Sequence, residues 1–221
     1  MLLTISQVLS HAVLALLLSI SGCVMVGDQI EGSGVAKTET RDVPTFSRIN
    51  STGSAEVTVM IGDKQSLTVE ADDNILPLID TNVKGDKLEI SSHDSYSTRT
   101  PIRITITVAN LEEARVAGSG SVNASGIDAK KFDAHISGSG NVNVSGKAEA
   151  LTATVTGSGK LDATELPVDS ANITVTGSGD AMVNATKSVK AHVTGSGDIH
   201  YAGNPLNVEQ HVTGSGTVRK M

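Results

Sequence analysis

The chain has 221 residues and a formal net charge of -7 at pH 7, from 17 Lys and Arg against 24 Asp and Glu. Aromatic residues make up 2% and tryptophan is absent, so an acidic surface with few stacking groups argues against nucleic acid as a partner. A single cysteine rules out an internal disulfide, and the length fits one domain or a two-part domain.

Residues 1–22 read as a targeting segment. The apolar run Ala12-Val13-Leu14-Ala15-Leu16-Leu17-Leu18 is too short to span a bilayer. Small residues then lead to the only cysteine, Ile20-Ser21-Gly22-Cys23. This run resembles a bacterial lipobox, which implies cleavage before Cys23, diacylglycerol on its thiol and a lipid anchor in the membrane. No Lys or Arg precedes Lys37, so the usual positive front of an export signal is missing. The alternative is an ordinary signal peptide with an incidental cysteine. Val24 stands where an Asp would retain a lipoprotein at the inner membrane, so the expected destination is the outer membrane, facing the periplasm or the surface.

Residues 23–43 are mostly polar and read as a tether. Gly32-Ser33-Gly34 within them is either linker or a degenerate triplet capping the solenoid. Residues 44–110 read as an atypical N-terminal β part. Phe46, Ile49, Ser51, Gly53, Ala55, Val57 and Val59 keep one parity, as alternate residues of a half-buried strand do. Val57–Ile61 and Leu67–Ala71 flank Gly62-Asp63-Lys64 and predict a hairpin. Asp72 or Asp73 is placed to cap a helical turn over Asn74–Leu78. Leu88–Ser91 comes after a turn at Lys84-Gly85-Asp86, Ser91–Thr100 is a polar loop, and Ile102, Ile104, Ile106 and Val108 alternate as a strand.

Residues 111–221 are organised by Gly-Ser-Gly. The triplet begins at Gly118, Gly138, Gly157, Gly177, Gly195 and Gly214, with spacings of 20, 19, 20, 18 and 19 residues. A period of that size marks a solenoid in which each repeat is one coil. A flexible linker would not keep apolar residues in phase with its glycines, yet Ile136, Val155, Val175, Val193 and Val212 each stand two residues before a triplet. Val122, Val142, Leu161, Ala181, Ile199 and Val218 stand two residues after one. The parity puts glycines and apolar residues on an inner face and the serines outside, with each triplet at a bend. The expected fold is an all-β parallel solenoid with an atypical N-terminal part.

Several runs carry a resemblance. Phe46-Ser47-Arg48-Ile49, Val57-Thr58-Val59, Leu67-Thr68-Val69-Glu70-Ala71 and Asp73-Asn74-Ile75-Leu76 are succeeded by Gly85-Asp86-Lys87-Leu88-Glu89-Ile90, Asn110-Leu111 and the triplets. Over residues 44–218 this order resembles the head-GIN domain family of auto-transporter adhesins. The resemblance implies an exported bacterial lipoprotein with a right-handed β-helix-like fold. It brings no catalytic residues.

The candidate binding face is therefore read from the repeats. Ser119, Ser139, Ser158, Ser178, Ser196 and Ser215 would form one outward ladder, and Thr156, Thr176, Thr194 and Thr213 a second, with Asp180 and Asp198 continuing the row. Such a face is either simply solvated, its hydroxyls satisfying turn backbone groups, or a surface for glycan, peptidoglycan or an envelope protein. Ice binding by the threonines is a third reading. His135, His192 and His211 share one position in their repeats, and the last two are expected roughly 5 Å apart on adjacent coils. Two imidazoles without a third ligand point to exposed strand residues rather than a metal site, and no cofactor motif is present. The function expected is a non-catalytic envelope binding or adhesion module. A carbohydrate-active enzyme, which would need clustered carboxylates, and a purely structural envelope protein are the alternatives.

Overall fold

The computed structural model describes residues 29–221. The expected export signal over residues 1–22 and Cys23 lie outside the described residues. The described chain is built almost wholly from strands. In order these are β1 (Ile30–Glu31), β2 (Ala36–Thr40), β3 (Arg48–Gly53), β4 (Glu56–Ile61), β5 (Ser66–Asp72), β6 (Ile79–Lys84), β7 (Lys87–Ser92), β8 (Tyr96–Ser97), β9 (Arg103–Val108) and β10 (Glu113–Gly118). Four long strands come next, β11 (Ser121–Gly138), β12 (Asn141–Gly157), β13 (Lys160–Gly177) and β14 (Asp180–Gly195), then β15 (Asp198–Ala202), β16 (Asn207–Gly214) and β17 (Thr217–Lys220).

Each long strand runs from one triplet to the next, so one strand is one coil of a parallel solenoid. The coils stack in sequence order from β10 through β14, and the last coil lays β16 on β14 and β17 on β15. The register is strict on the side that leads into the triplet. Val116, Ile136, Val155, Val175, Val193 and Val212 are consecutive partners in one inner stack. Val57, Val122, Val142, Leu161, Ala181, Ile199 and Val218 form another beyond it. The residues of both stacks are buried, except in the last coil. Each Val, Leu or Ile among the buried ones contributes about 1.5–3 kcal/mol on full burial, so stacked aliphatics can carry a fold nearly free of aromatics.

The triplet is the tight corner of each coil. Its first glycine has φ between +113° and +124° across the triplets from Gly118 to Gly214, a region that L side chains rarely adopt. Its second glycine is buried from Gly120 through Gly197, with the coil beneath pressed against it. The opposite corner is looser. Register shifts fall between Ala124 and Ile127, Asn143 and Ser145, and Ala163 and Pro167. The variable period is absorbed there, because a bulge accepts an extra residue and a stacked glycine corner does not.

The N-terminal part closes the solenoid with strands of mixed direction, and three local expectations are corrected. First, β4 and β5 do not form a hairpin. β9 lies between them, parallel to β4 and antiparallel to β5. The alternation shows two strands but cannot name their partners. Second, the helical turn is a 3-10 turn over Leu76–Leu78 with no side-chain cap; the backbone carbonyl of Asp72 accepts from the Ile75 N–H instead. The Asp72 carboxylate is turned to the loop at Arg99 and Thr100. Third, Ala36–Thr40, read within a polar tether, pairs antiparallel with β5. Gly32-Ser33-Gly34 is neither loose linker nor a rung of the solenoid. The Ser33 N–H donates to Asn74 Oδ1 at 2.9 Å and its hydroxyl bonds Asp73, docking the triplet on that turn.

Candidate functional site

The outward rows are built by the same register that builds the core. Thr156, Thr176, Thr194 and Thr213 are direct partners on four successive coils, and Ser137 extends the row one coil toward the N-terminus. All five are exposed. Two residues further along the chain from each, Ser139, Ser158, Ser178, Ser196 and Ser215 lie along the tight corner, with Ser119 one coil earlier. Their backbone N–H groups satisfy the turn, as in Ser178 donating to the Gly157 carbonyl at 2.8 Å and Ser196 to that of Gly177 at 2.8 Å. The turn thus closes through backbone, and the hydroxyls stay on the surface. Six serines at about 4.8 Å per coil make a crest about 24 Å long, flanked by the threonine row. Because the crest runs along a corner, it is convex. From Ser139 to Ser215 it can lie against an extended ligand, while Ser119 borders a hollow of about 400 Å³ beside Ser54, Ser95 and Tyr96.

Two residues before Thr156, Thr176, Thr194 and Thr213 lie Thr154, Thr174, His192 and His211, a second polar row that His135 and Arg115 continue toward the N-terminus. The His192 and His211 rings stack with centroids 5.0 Å apart and 6° between planes. Each imidazole also approaches its neighbouring threonine hydroxyl, Thr194 at 3.2 Å and Thr213 at 3.4 Å. Partial burial, and then the nearby Arg115 guanidinium, push the His135 imidazole below its ordinary pKa. Among the described residues no three His, Cys, Asp or Glu side chains come together in a metal-binding arrangement.

Asp180 and Asp198 have a structural use that the sequence does not reveal. Asp180 Oδ1 accepts from the Asp198 N–H at 3.1 Å. Asp198 Oδ1 accepts from both the N–H and the hydroxyl of Thr217, each at 2.7 Å. The Thr217 bonds hold the Asp198 carboxyl below its ordinary pKa. These carboxylates staple the last coils together.

Two concave areas lie away from the crest. A groove of about 290 Å³ at the loose corner is lined by Thr58, Asn123, Asn143, Asp162, Thr164 and Glu165. Its polar groups bond one another, Asn143 Nδ2 to Asn123 Oδ1 at 2.7 Å and the Thr164 hydroxyl to Asp162 Oδ1 at 2.6 Å. A second, of about 520 Å³, includes Arg48, Glu113, Lys130, Lys131 and Asp133, so both signs of charge are interspersed.

The family described as "Putative auto-transporter adhesin, head GIN domain" matches residues 45–205, which takes in β3 through β15. The chain belongs to the head-GIN domain family. Solved structures share the fold. A "putative adhesin" from Bacteroides fragilis NCTC 9343 superposes with a TM-score of 0.69 at 24% identity, covering 87% of this head-GIN chain and 100% of the other. A "putative lipid binding protein" from Parabacteroides distasonis ATCC 8503 gives 0.59 at 25%, covering 87% and 99%. A second P. distasonis protein, a "putative adhesin", gives 0.55 at 24%, covering 88% and 100%. No functionally curated protein matches. Among the described residues no helix is long and apolar enough to cross a membrane.

Proposed function

We propose that this head-GIN chain is an exported, non-catalytic envelope lipoprotein. It is held through Cys23 and binds an extended partner along its Ser/Thr crest. The observation that carries the reading is the register of Thr156, Thr176, Thr194 and Thr213 beside the corner serines, which puts repeated hydroxyls at one spacing on one edge. A ligand with its own repeated hydroxyls or amides, such as glycan or peptidoglycan, can exchange hydrogen bonds along that edge. Each neutral bond nets only about 0.5–1.5 kcal/mol, so binding depends on many rungs and on many anchored copies. The family's adhesin label and the adhesin-like neighbours support a binding role over an enzymatic one. A lipidated cysteine ahead of the domain would hold the crest at the envelope, in the outer membrane of a two-membrane cell.

The test is retention of purified protein on isolated peptidoglycan and on a glycan array. Wild type is compared with a variant in which Thr176, Ser178, Thr194 and Ser196 are all lysine. Retention of the wild type and its loss in the folded variant are expected; equal retention of both would remove the crest as the binding edge. Anchoring is read separately, by incorporation of alkyne-labelled palmitate. Label on the wild type and none on Cys23→Ala is the expected result, and an unlabelled wild type would sink the lipoprotein reading.

A further inference from the structure

The last coil leaves a strand edge and part of the core uncovered. β16 pairs with β14 from Ser188↔Asn207 to Gly195↔Gly214, and among the described residues nothing pairs with its other side. Val208, Gln210 and Val212 stand on the buried Val189, Ala191 and Val193, so they occupy inward positions. Yet Val208 and Val212 remain 41% and 39% exposed. The other end of the solenoid is closed. There β6 turns back antiparallel on β7 and β2 on β5, and the Arg41 guanidinium covers the Leu76 and Ile79 carbonyls. The exposed strand β2 carries Lys37 and Glu39, charges of the kind that keep an edge from pairing.

We infer that β16 is a self-association edge, on which a second copy of this chain docks end to end about a twofold axis at Gln210. A twofold axis makes the paired strands antiparallel. Sheet faces must match across the pair, so inward residues meet inward residues. Centred on Gln210, the strand is complementary to itself. Val208 faces Val212 of the second copy, and the two Gln210 amides face each other. Outside, Glu209 faces His211 of the second copy, and this carboxylate–imidazole pair occurs twice. Asn207 faces Thr213 in the same way. The inner stacks of one copy then continue into the other, extending an interface of coil on coil that the chain already makes internally. A parallel neighbour on one side and an antiparallel one on the other is an ordinary mixed sheet. One coil's end is a small contact, below about 1,200 Å² in total, so association in the micromolar range is expected.

The experiment uses the full chain in mild detergent. Sedimentation from about 1 to 200 µM should show a concentration-dependent shift from monomer to dimer that stops at two copies, as an isologous contact requires. Gln210→Cys should yield a disulfide-linked dimer, because Cα atoms directly opposite in an antiparallel pair lie about 4.5–5.5 Å apart, within disulfide reach. Ser139→Cys, on the crest, should not, and the wild type controls for Cys23. Val208→Lys with Val212→Lys should shift the midpoint at least tenfold in concentration while circular dichroism stays unchanged. A monomer throughout, with no Gln210→Cys dimer, overturns the inference. So does open-ended growth, which would mean a head-to-tail contact, and so does a dimer that Ser139→Cys cross-links as well as Gln210→Cys does.

Discussion

Replacing Gly177 with alanine separates two costs that the tight corner imposes. Gly177 has φ +114°, and a Cβ there would lie 2.5 Å from the Gly157 carbonyl oxygen of the coil beneath. The backbone strain costs about 1–3 kcal/mol. Forcing the coils apart costs a further 1–3 kcal/mol or so. Two other glycines isolate the parts. Gly53 has φ +110° with nothing within 4 Å of a Cβ, so Gly53→Ala carries strain alone. At Gly179 no positive φ applies, but a Cβ would lie 2.4 Å from the Gly159 oxygen and 2.7 Å from Val155 Cγ1, so Gly179→Ala carries the clash alone. A chain of this size loses roughly 2–4 °C of melting temperature per kcal/mol. Gly177→Ala should therefore fall by about 4–24 °C, close to the sum of the other two losses, which are each about 2–12 °C. Ser178→Ala keeps the backbone bond to Gly157 and should stay within about 0.5 kcal/mol of wild type. Thermal unfolding followed by circular dichroism gives all four values. A Gly177→Ala loss no larger than that of Gly53→Ala would refute close coil contact as the reason for the glycine.

Further expectations concern polar groups near the two ends. Hydrogen bonds from the Thr100 side chain and the Arg99 N–H lower the Asp72 pKa, as the Thr217 bonds do for Asp198. A carboxyl depressed in the folded state stabilises the fold above its unfolded pKa, about 3.9, and that stability is lost as pH falls through the lower folded value. Melting temperature should thus hold above about pH 5 and drop below about pH 4. Asp72→Asn should flatten the drop while lowering the plateau; an unchanged acid profile in both Asp72→Asn and Asp198→Asn would count against this. Arg41 Nη1 donates to Ile79 and Thr81, and its Nη2 to the Leu76 carbonyl at 3.0 Å. Arg41→Ala should cost about 1.5–3 kcal/mol in denaturant unfolding. Arg41→Lys should recover little of it, because an ammonium lacks the planar fork that reaches several acceptors. Full recovery by lysine would show that charge alone is at work.

The solenoid is legible in the sequence because its repeats report packing directly. Apolar residues two before and two after each triplet can share one stack only if successive coils have the same path, and Val155, Val175 and Val193 do. The N-terminal part is less legible, since alternation shows that a segment is a strand and which face is buried, but not which strand lies beside it. Ile102–Val108 reads as a strand, yet nothing local places it between β4 and β5. The polar residues are hardest to read. Asp72 looks like a helix cap because Asn74–Leu78 lies just beyond it, but its partners at Arg99 and Thr100 are far along the chain. Asp198 looks like one more outward group until its carboxylate is found bonded to Thr217 on the next coil. For the candidate crest, the repeats point to the residues, while the glycine geometry accounts for its convex form.

The common register of the triplets also bears on how such a chain changes length over evolutionary time. Gly157 meets Gly177, and Gly177 meets Gly195, with the same residues facing outward and inward at each meeting. A deletion of residues 158–177 would bring Gly157 onto Gly195 and Val155 onto Val193, leaving every remaining rung with a partner of its own kind. Duplication of the same stretch would insert a rung without altering either end. Gain or loss of one genetic period therefore changes the rod by a single step of about 4.8 Å. The length of the rod can in this way be adjusted in whole units, by recombination between repeats rather than by point substitution.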